Sequence, residues 1–311
     1  NGIFNGVVKF EDTDTTTNTP LAKQTLTSLE LDSQINETVL TSFTNTSKND
    51  NSTGIYASED DLGTSYYFRG NITNNYVKFA GFYWRIIRIN GDGSLRVIYD
   101  GTSAHANSDA STDRQIGTSA YNTNYNDNAY VGYMYGMAGA STYEETHANT
   151  NSSTIKTFID TWYQNNLMSY SSYLADSGFC GDRSIVDGLG YGTNATRYGG
   201  YDRAVASAPQ FKCPQESDLY TTKTSNKGNK ALDYPIGLIT ADETNYAGGI
   251  SGWENNGYYM NSGISFWMIS PNYVSSTAYV CLVVDEGQTS YDGSYREWDV
   301  RPVINLKFDA Q

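Results

Sequence analysis

Strand-like composition is densest over residues 76–89, and Asn90-Gly91-Asp92-Gly93 follows directly, with residues 95–99 apolar again. That order predicts a β-hairpin turning at Asn90–Gly93. Further on, Ile155, Phe158, Ile159 and Trp162 fall at i, i+3, i+4 and i+7 after Ser152-Ser153, with Leu167 continuing the stripe. The spacing predicts an amphipathic helix. Thr240 and Glu243 have capping-box spacing, and Gly248-Gly249 supplies a left-handed stop, so the helix between them must be short. Pro214, at a first helical position, predicts another short helix through Tyr220. The last third reads as strands around 266–269, 278–284 and 299–306. Residues 101–151 are rich in Ser, Thr, Asn, Ala, Tyr and Gly without a sustained period, and read as a long surface excursion.

Residues 1–54 differ from the rest. Ile3, Val7, Val8 and Phe10 form a small apolar set ahead of a polar, Thr-rich link, residues 21–31 are loosely amphipathic, and residues 45–54 are Asn-rich. A strand that short needs an edge to pair with. The segment is expected to be an N-terminal extension for anchoring or assembly, attached to a domain over 55–311 that folds without it. The chain opens on Asn1, as a processed or trimmed product would.

Only 17% of the 311 residues are charged, Tyr alone contributes 27, and the formal net charge is −14. Solubility therefore rests on neutral hydrogen-bonding side chains, the composition of an exported protein. The negative charge argues against nucleic acid or an anionic membrane as partner. It leaves room for calcium, although Asn90–Gly93 lacks the downstream acidic ligand of an EF-hand loop, and no cofactor is expected from a specific motif. No apolar run reaches the length of about 18 residues that a membrane helix needs.

Of three cysteines, Cys281 lies in the apolar run Ala-Tyr-Val-Cys-Leu-Val-Val and reads as buried in a strand. Cys180 and Cys213 sit at loop edges and are expected to pair in an oxidising compartment, the alternative being free thiols throughout. His105 and His147 have no second ligand at metal-binding spacing, and no phosphate loop or nucleophile motif is present. Glu59, Asp60 and Asp61 read as a solvated acidic turn, and Asp242 and Glu243 as helix capping, so no catalytic residue is expected. Trp253, Tyr258, Tyr259, Tyr273, Tyr291 and Trp298 lie in or beside predicted loops, where an amphipathic ring can stack on a sugar or a protein; the alternative is local core.

Several ordered segments carry a resemblance. They are Gly63-Thr-Ser-Tyr-Tyr-Phe-Arg-Gly70, Phe82-Tyr-Trp-Arg-Ile-Ile-Arg-Ile-Asn-Gly-Asp-Gly93, Trp162-Tyr163, Phe179-Cys-Gly-Asp-Arg183, residues 235–249, Trp267-Met-Ile-Ser-Pro271 and residues 300–306. From about residue 55 to residue 306 the chain resembles an uncharacterised family of secreted or surface-displayed proteins of Gram-positive and related bacteria. That family is similar in turn to the formylglycine-generating-enzyme-like branch of C-type-lectin folds, where a Leu-Pro-Thr-Glu-Ala-Glu type segment stands in the place of Leu238-Ile-Thr-Ala-Asp-Glu243. The resemblance implies an α+β domain of short helices, hairpins and long loops. It does not bring the oxidase activity, because Cys281 stands alone where that branch has a reactive pair. The residues it carries across, Trp267, Ser270, Pro271, Arg301 and Pro302, are implied to be structural.

These readings converge on a non-catalytic extracellular or cell-surface protein for adhesion or filament assembly. Its partners would be other copies of itself or a cell-surface glycan or protein. The alternatives are a carbohydrate- or protein-binding receptor using the aromatic loops and, least supported, an enzyme of the formylglycine-generating type.

Overall fold

The computed structural model describes residues 20–29 and 52–308. It is a mixed α+β fold, mostly sheet, with a few short helices. The first sheet begins with a hairpin of β1 (Gly54–Asp60) and β2 (Gly63–Arg69), followed by β3 (Tyr76–Phe79), β4 (Phe82–Ile89) and β5 (Leu95–Gly101). The spatial order is β1, β2, β4, β5, then Val303–Leu306 and Ile236–Gly237, with β3 also on β4. The predicted hairpin is present. Ile89 pairs with Leu95, and the Asn90 amide donates to the Ser94 carbonyl at 2.9 Å. Gly91 has to be glycine, since a Cβ there would come within 2.4 Å of the Gly63 nitrogen.

The second sheet runs Ile185–Gly188, Thr196–Tyr198, Phe266–Val274, Ala278–Val283, Thr289–Gly293. Thr118–Ala120 joins it through Glu297–Asp299. Trp84 and Ile98 of the first sheet and Phe266, Trp267 and Val280 of the second belong to one buried core. The predicted amphipathic helix spans Thr154–Asn166, capped by the Ser153 side chain, and buries Ile155, Ile159 and Tyr163. The capping box is also present. Thr240 accepts the Glu243 amide and Glu243 the Thr240 amide, and Gly248 (φ 129°) ends the helix Ala241–Ala247, whose every residue is buried.

Three expectations need correction. Pro214 opens no α-helix: Glu216–Asp218 forms a single 3-10 turn, and Leu219–Tyr220 pairs with Phe179–Cys180. Asp218 is committed to Arg183, whose amide and guanidinium donate to it at 2.6 and 2.8 Å, and strand pairing begins at the next residue. Residues 101–151 are not a surface excursion, since Tyr121, Val131 and Tyr133 are fully buried. The segment shows no period because its elements are single turns and strands of two or three residues, the turns held by side chains such as Asp127, which accepts the Ala129 amide at 2.9 Å. Within the N-terminal extension, the helix Leu21–Ser28 is not detached. Ala22 and Leu26 are fully buried in the main core, and the Thr25 hydroxyl donates to the Gly93 carbonyl at 2.8 Å. Ile3, Val7, Val8 and Phe10 lie outside the described residues.

Arg301 performs the structural role implied for it. With Arg85 and Arg114 it converges on Asp100, at 2.6, 3.4 and 2.7 Å respectively, and all four side chains are buried. The remaining guanidinium donors meet carbonyls of Ile72, Tyr99, His105, Ala106, Asp109 and Met260, so this cluster fastens three loops to β5. Trp267 donates to the Ser119 carbonyl at 2.9 Å, and Ser270 accepts the Ala241 amide at 3.0 Å. Cys180 and Cys213 form a disulfide. Among the described residues no helix is long and apolar enough to cross a membrane.

Candidate functional site

The six aromatic residues singled out in the sequence divide into three groups. Tyr258 and Tyr259 are fully buried and cannot contact a ligand directly. Their loop turns inward beneath the first sheet, where the Tyr259 amide donates to the Gly70 carbonyl at 3.0 Å, and burying two large rings favours that path. Trp298 is half-buried and donates to Asp292 at 3.0 Å. Trp253, Tyr273 and Tyr291 reach the surface, Trp253 being 56% exposed and Tyr291 40%.

Tyr273 and Tyr291 meet two tyrosines that were not singled out, Tyr201 and Tyr279. The cluster follows from strand register, because Tyr273 lies opposite Tyr279 across one hairpin and Tyr291 lies opposite Cys281 across the next. Directly opposed side chains share a face. Tyr273 and Tyr279 stack with centroids 4.4 Å apart and planes at 17°. Tyr291 stands nearly perpendicular to Tyr273 at 5.3 Å and to Tyr201 at 5.4 Å. Tyr201, on the helix Gly199–Ala206, shares a hydrogen bond of 3.2 Å with Ser251. That contact brings the turn carrying Trp253 to the same end of the sheet, and Ser251 also bridges to Thr289. Partial burial, then the neighbouring Tyr279 and Tyr291, push the Tyr273 phenol up to about 12, so it is neutral across the physiological range. The site is a surface of mutually packed rings, with the exposed Arg197 opposite Tyr273 on the neighbouring strand and paired with Asp202 at 3.0 Å. The period-two placement of Tyr279 and Cys281 in one strand, facing Tyr291 in the next, is the sequence signal for it.

The buried carboxylates singled out in the sequence are committed to the fold. Asp60 does not belong to a solvated turn: it is buried and pairs with Arg88 at 2.7 Å, while Asp61 accepts the Cys213 amide at 3.0 Å. Glu59 is exposed and accepts from the Thr64 hydroxyl at 2.7 Å, and the Asp61 carbonyl accepts from Lys227 at 2.6 Å in an exposed contact. Glu243 adds Arg88 and Arg96 to its capping role, and Asp242 holds Arg203 through both carboxylate oxygens at 2.9 and 2.7 Å. The cavity among Asp61, Arg88, Arg203 and Glu243 measures only about 30 Å³. That volume holds about one water molecule. His105 lies between Asp109 and Asp113, at 3.1 and 2.9 Å. Burial, and then Arg183, push His147 well below the ordinary histidine range, and its Nε2 is bonded to the Gly190 carbonyl at 2.8 Å. Cys281 is buried, and burial pushes its thiol well above the ordinary range. Among the described residues no group of three or more His, Cys, Asp or Glu is arranged to hold a metal ion.

No family model, curated protein or solved structure matches the chain.

Proposed function

We propose that this chain is a non-catalytic extracellular module that adheres to a surface protein or glycan through the tyrosine face of its second sheet. The observation that carries the reading is the mutual bracing of Tyr201, Tyr273, Tyr279 and Tyr291 around the partly exposed ring of Tyr291. Rigid tyrosines give a large amphipathic contact at low conformational-entropy cost, and Tyr is enriched where interfaces concentrate their energy. Support for the setting comes from the Cys180–Cys213 disulfide, which persists in oxidising compartments, and from a surface of few charges. Support for the absence of catalysis comes from the buried carboxylates of Asp60, Asp242 and Glu243, each held by an arginine, and from the buried, isolated Cys281. The same reading takes the α+β scaffold as C-type-lectin-like, related to the formylglycine-generating-enzyme branch without its oxidase chemistry.

A second reading is filament assembly, favoured by β1. It is seven residues long, pairs with β2, and no other described strand pairs with it. An open edge of this kind can take a strand from another copy, and a contact that does not close generates a filament.

Adhesion is tested with the full chain and the double variant Tyr201→Ala/Tyr291→Ala, each applied to arrays of immobilised glycans and to intact Gram-positive cells. Sedimentation of both proteins is measured in parallel. The adhesion reading expects wild-type retention that the double variant loses while remaining folded. Equal retention by both proteins would overturn it. Retention by neither, together with concentration-dependent growth of the wild type in sedimentation, would transfer the assignment to assembly.

A further inference from the structure

The helix Thr154–Asn166 carries a second stripe beside the one it buries. Phe158 and Trp162, four residues apart, are half-buried and packed on the edge of the core, with Thr154, Thr157 and Thr161 alongside. They form one wall of an open groove of about 670 Å³, and Ser119 and residues 122–124 form the other. This volume falls within the range of about 300–1,000 Å³ typical of small-molecule sites. No charged side chain lines the groove. The chain has a net charge of −14, so a wholly neutral groove is a selective feature of this surface.

Both rings are fixed from behind. Trp162 is braced by Phe82 at 5.5 Å and by Tyr99 at 5.6 Å between centroids. Phe158 lies with the tip of its ring against Gly117 (φ 136°), a backbone conformation that favours glycine. The two walls are tied together where the Thr123 amide donates to the Thr154 hydroxyl at 3.1 Å. Thr157 and Thr161 spend their hydroxyl protons on the carbonyls of Ser153 and Thr157, at 3.1 and 2.9 Å, which leaves their oxygens as acceptors. Asn122 lines the groove, is only 3% exposed, and its buried Nδ2 has no hydrogen-bond partner. A buried donor without a partner costs stability, and a native protein that keeps one calls for an explanation.

We propose that this groove binds a short neutral saccharide chain. The apolar face of a sugar ring stacks on Trp162 and Phe158, its hydroxyls donate to Thr157 and Thr161, and one hydroxyl accepts from Asn122 Nδ2. A charged ligand finds no counter-charge, and two aromatic rings side by side offer a flat apolar surface to the C–H face of a sugar. The site is separate from the tyrosine face, and its failure would leave the adhesion reading standing.

The test titrates the full chain with short neutral oligosaccharides of glucose, galactose, mannose and N-acetylglucosamine, read by calorimetry and by tryptophan fluorescence. Wild-type protein is expected to bind at least one of them. Asn122→Ala should weaken that binding by about tenfold, the effect of one lost hydrogen bond. Thr161→Arg, at an exposed helix position, should abolish it without disturbing the core, and leaves Tyr201, Tyr273 and Tyr291 untouched. Circular dichroism melts establish that both variants fold. Absence of binding to every probe, binding that both variants retain, or binding of an uncharged polar peptide in place of a saccharide would overturn the proposal.

Discussion

Arg96 Nη2 donates to Glu243 Oε2 at 3.2 Å, which ties β5 to the first turn of the helix Ala241–Ala247. The same oxygen accepts the Thr240 amide at 3.0 Å. Burial alone would raise the Glu243 carboxyl, but Arg96, Arg88 and the Thr240 amide outweigh it and hold the group below its ordinary 4.5. A carboxylate depressed on folding stabilises above its unfolded pKa, and that stability is lost as pH falls through the folded value. Glu243→Gln should therefore cost about 3–5 kcal/mol at neutral pH, because it leaves Arg96 buried without its counter-charge. The variant should also show a shallower loss of stability than wild type between about pH 5 and pH 3. Chemical denaturation across that range checks both statements. Parallel slopes would show that Glu243 does not set the acid sensitivity. Asp242 works in the opposite sense, since burial raises its carboxyl, so the comparison has to be made at Glu243 alone.

Reduction of the disulfide gives a second measurement. Cys180 and Cys213 are 33 residues apart in sequence, and closing a loop of that size stabilises by about 3–4 kcal/mol on the chain-entropy model. Reduced protein should melt at a lower temperature, with Cys281 remaining unreactive until unfolding. Nonreducing peptide maps that recover Cys180 and Cys213 as free thiols would contradict the structure.

Asp100 is the only carboxylate within ion-pair distance of Arg85, Arg114 and Arg301 among the described residues. Asp100→Asn preserves shape but removes the one negative charge facing three buried cations. A loss of about 3–5 kcal/mol or more is expected, since breaking a buried pair leaves uncompensated charge. Burial lowers Arg301 to about 9 even with Asp100 beside it, and losing that carboxylate lowers it further. Urea midpoints measured at neutral and at mildly alkaline pH should show the variant recovering relative to wild type as pH rises. A constant difference between the two would remove Arg301 from that account.

The helix Leu21–Ser28 bears on what the N-terminal extension contributes. Leu26 is fully buried against the main core, and truncations of this kind cost about 2–5 kcal/mol. Leu26→Ala should fall in that range, and a chain beginning at residue 52 should lose at least as much. Thermal melts of both decide the matter, and an unchanged midpoint would show that the helix is only loosely applied.

What was legible in the sequence was local. The capping box needs Thr240 and Glu243 three residues apart, the hairpin needs four turn residues between two apolar runs, and Cys281 announces its burial through its own neighbours. What was illegible depended on partners far along the chain. Asp60 reads as solvated because Arg88 stands 28 residues away, and Tyr259 reads as a loop aromatic because Gly70, which receives its amide, comes almost two hundred residues earlier. The groove was invisible for the same reason. Phe158 and Trp162 were recognised as helix positions, but nothing local indicates that Asn122 faces them or that Gly117 lies against the tip of a ring.

The position of Val303–Leu306 governs the order of events at birth. This strand lies between β5 and Ile236–Gly237, inside the first sheet, although β1 to β5 are synthesised some two hundred residues earlier. Until Leu306 has left the ribosome, β5 has an unfilled flank and Asp100 lacks Arg301. Pairing across such a sequence separation is slow, because the entropy of closing the loop is lost before any contact rewards it. The first sheet thus stays open along β5 until both partners of that long-range pairing have been made.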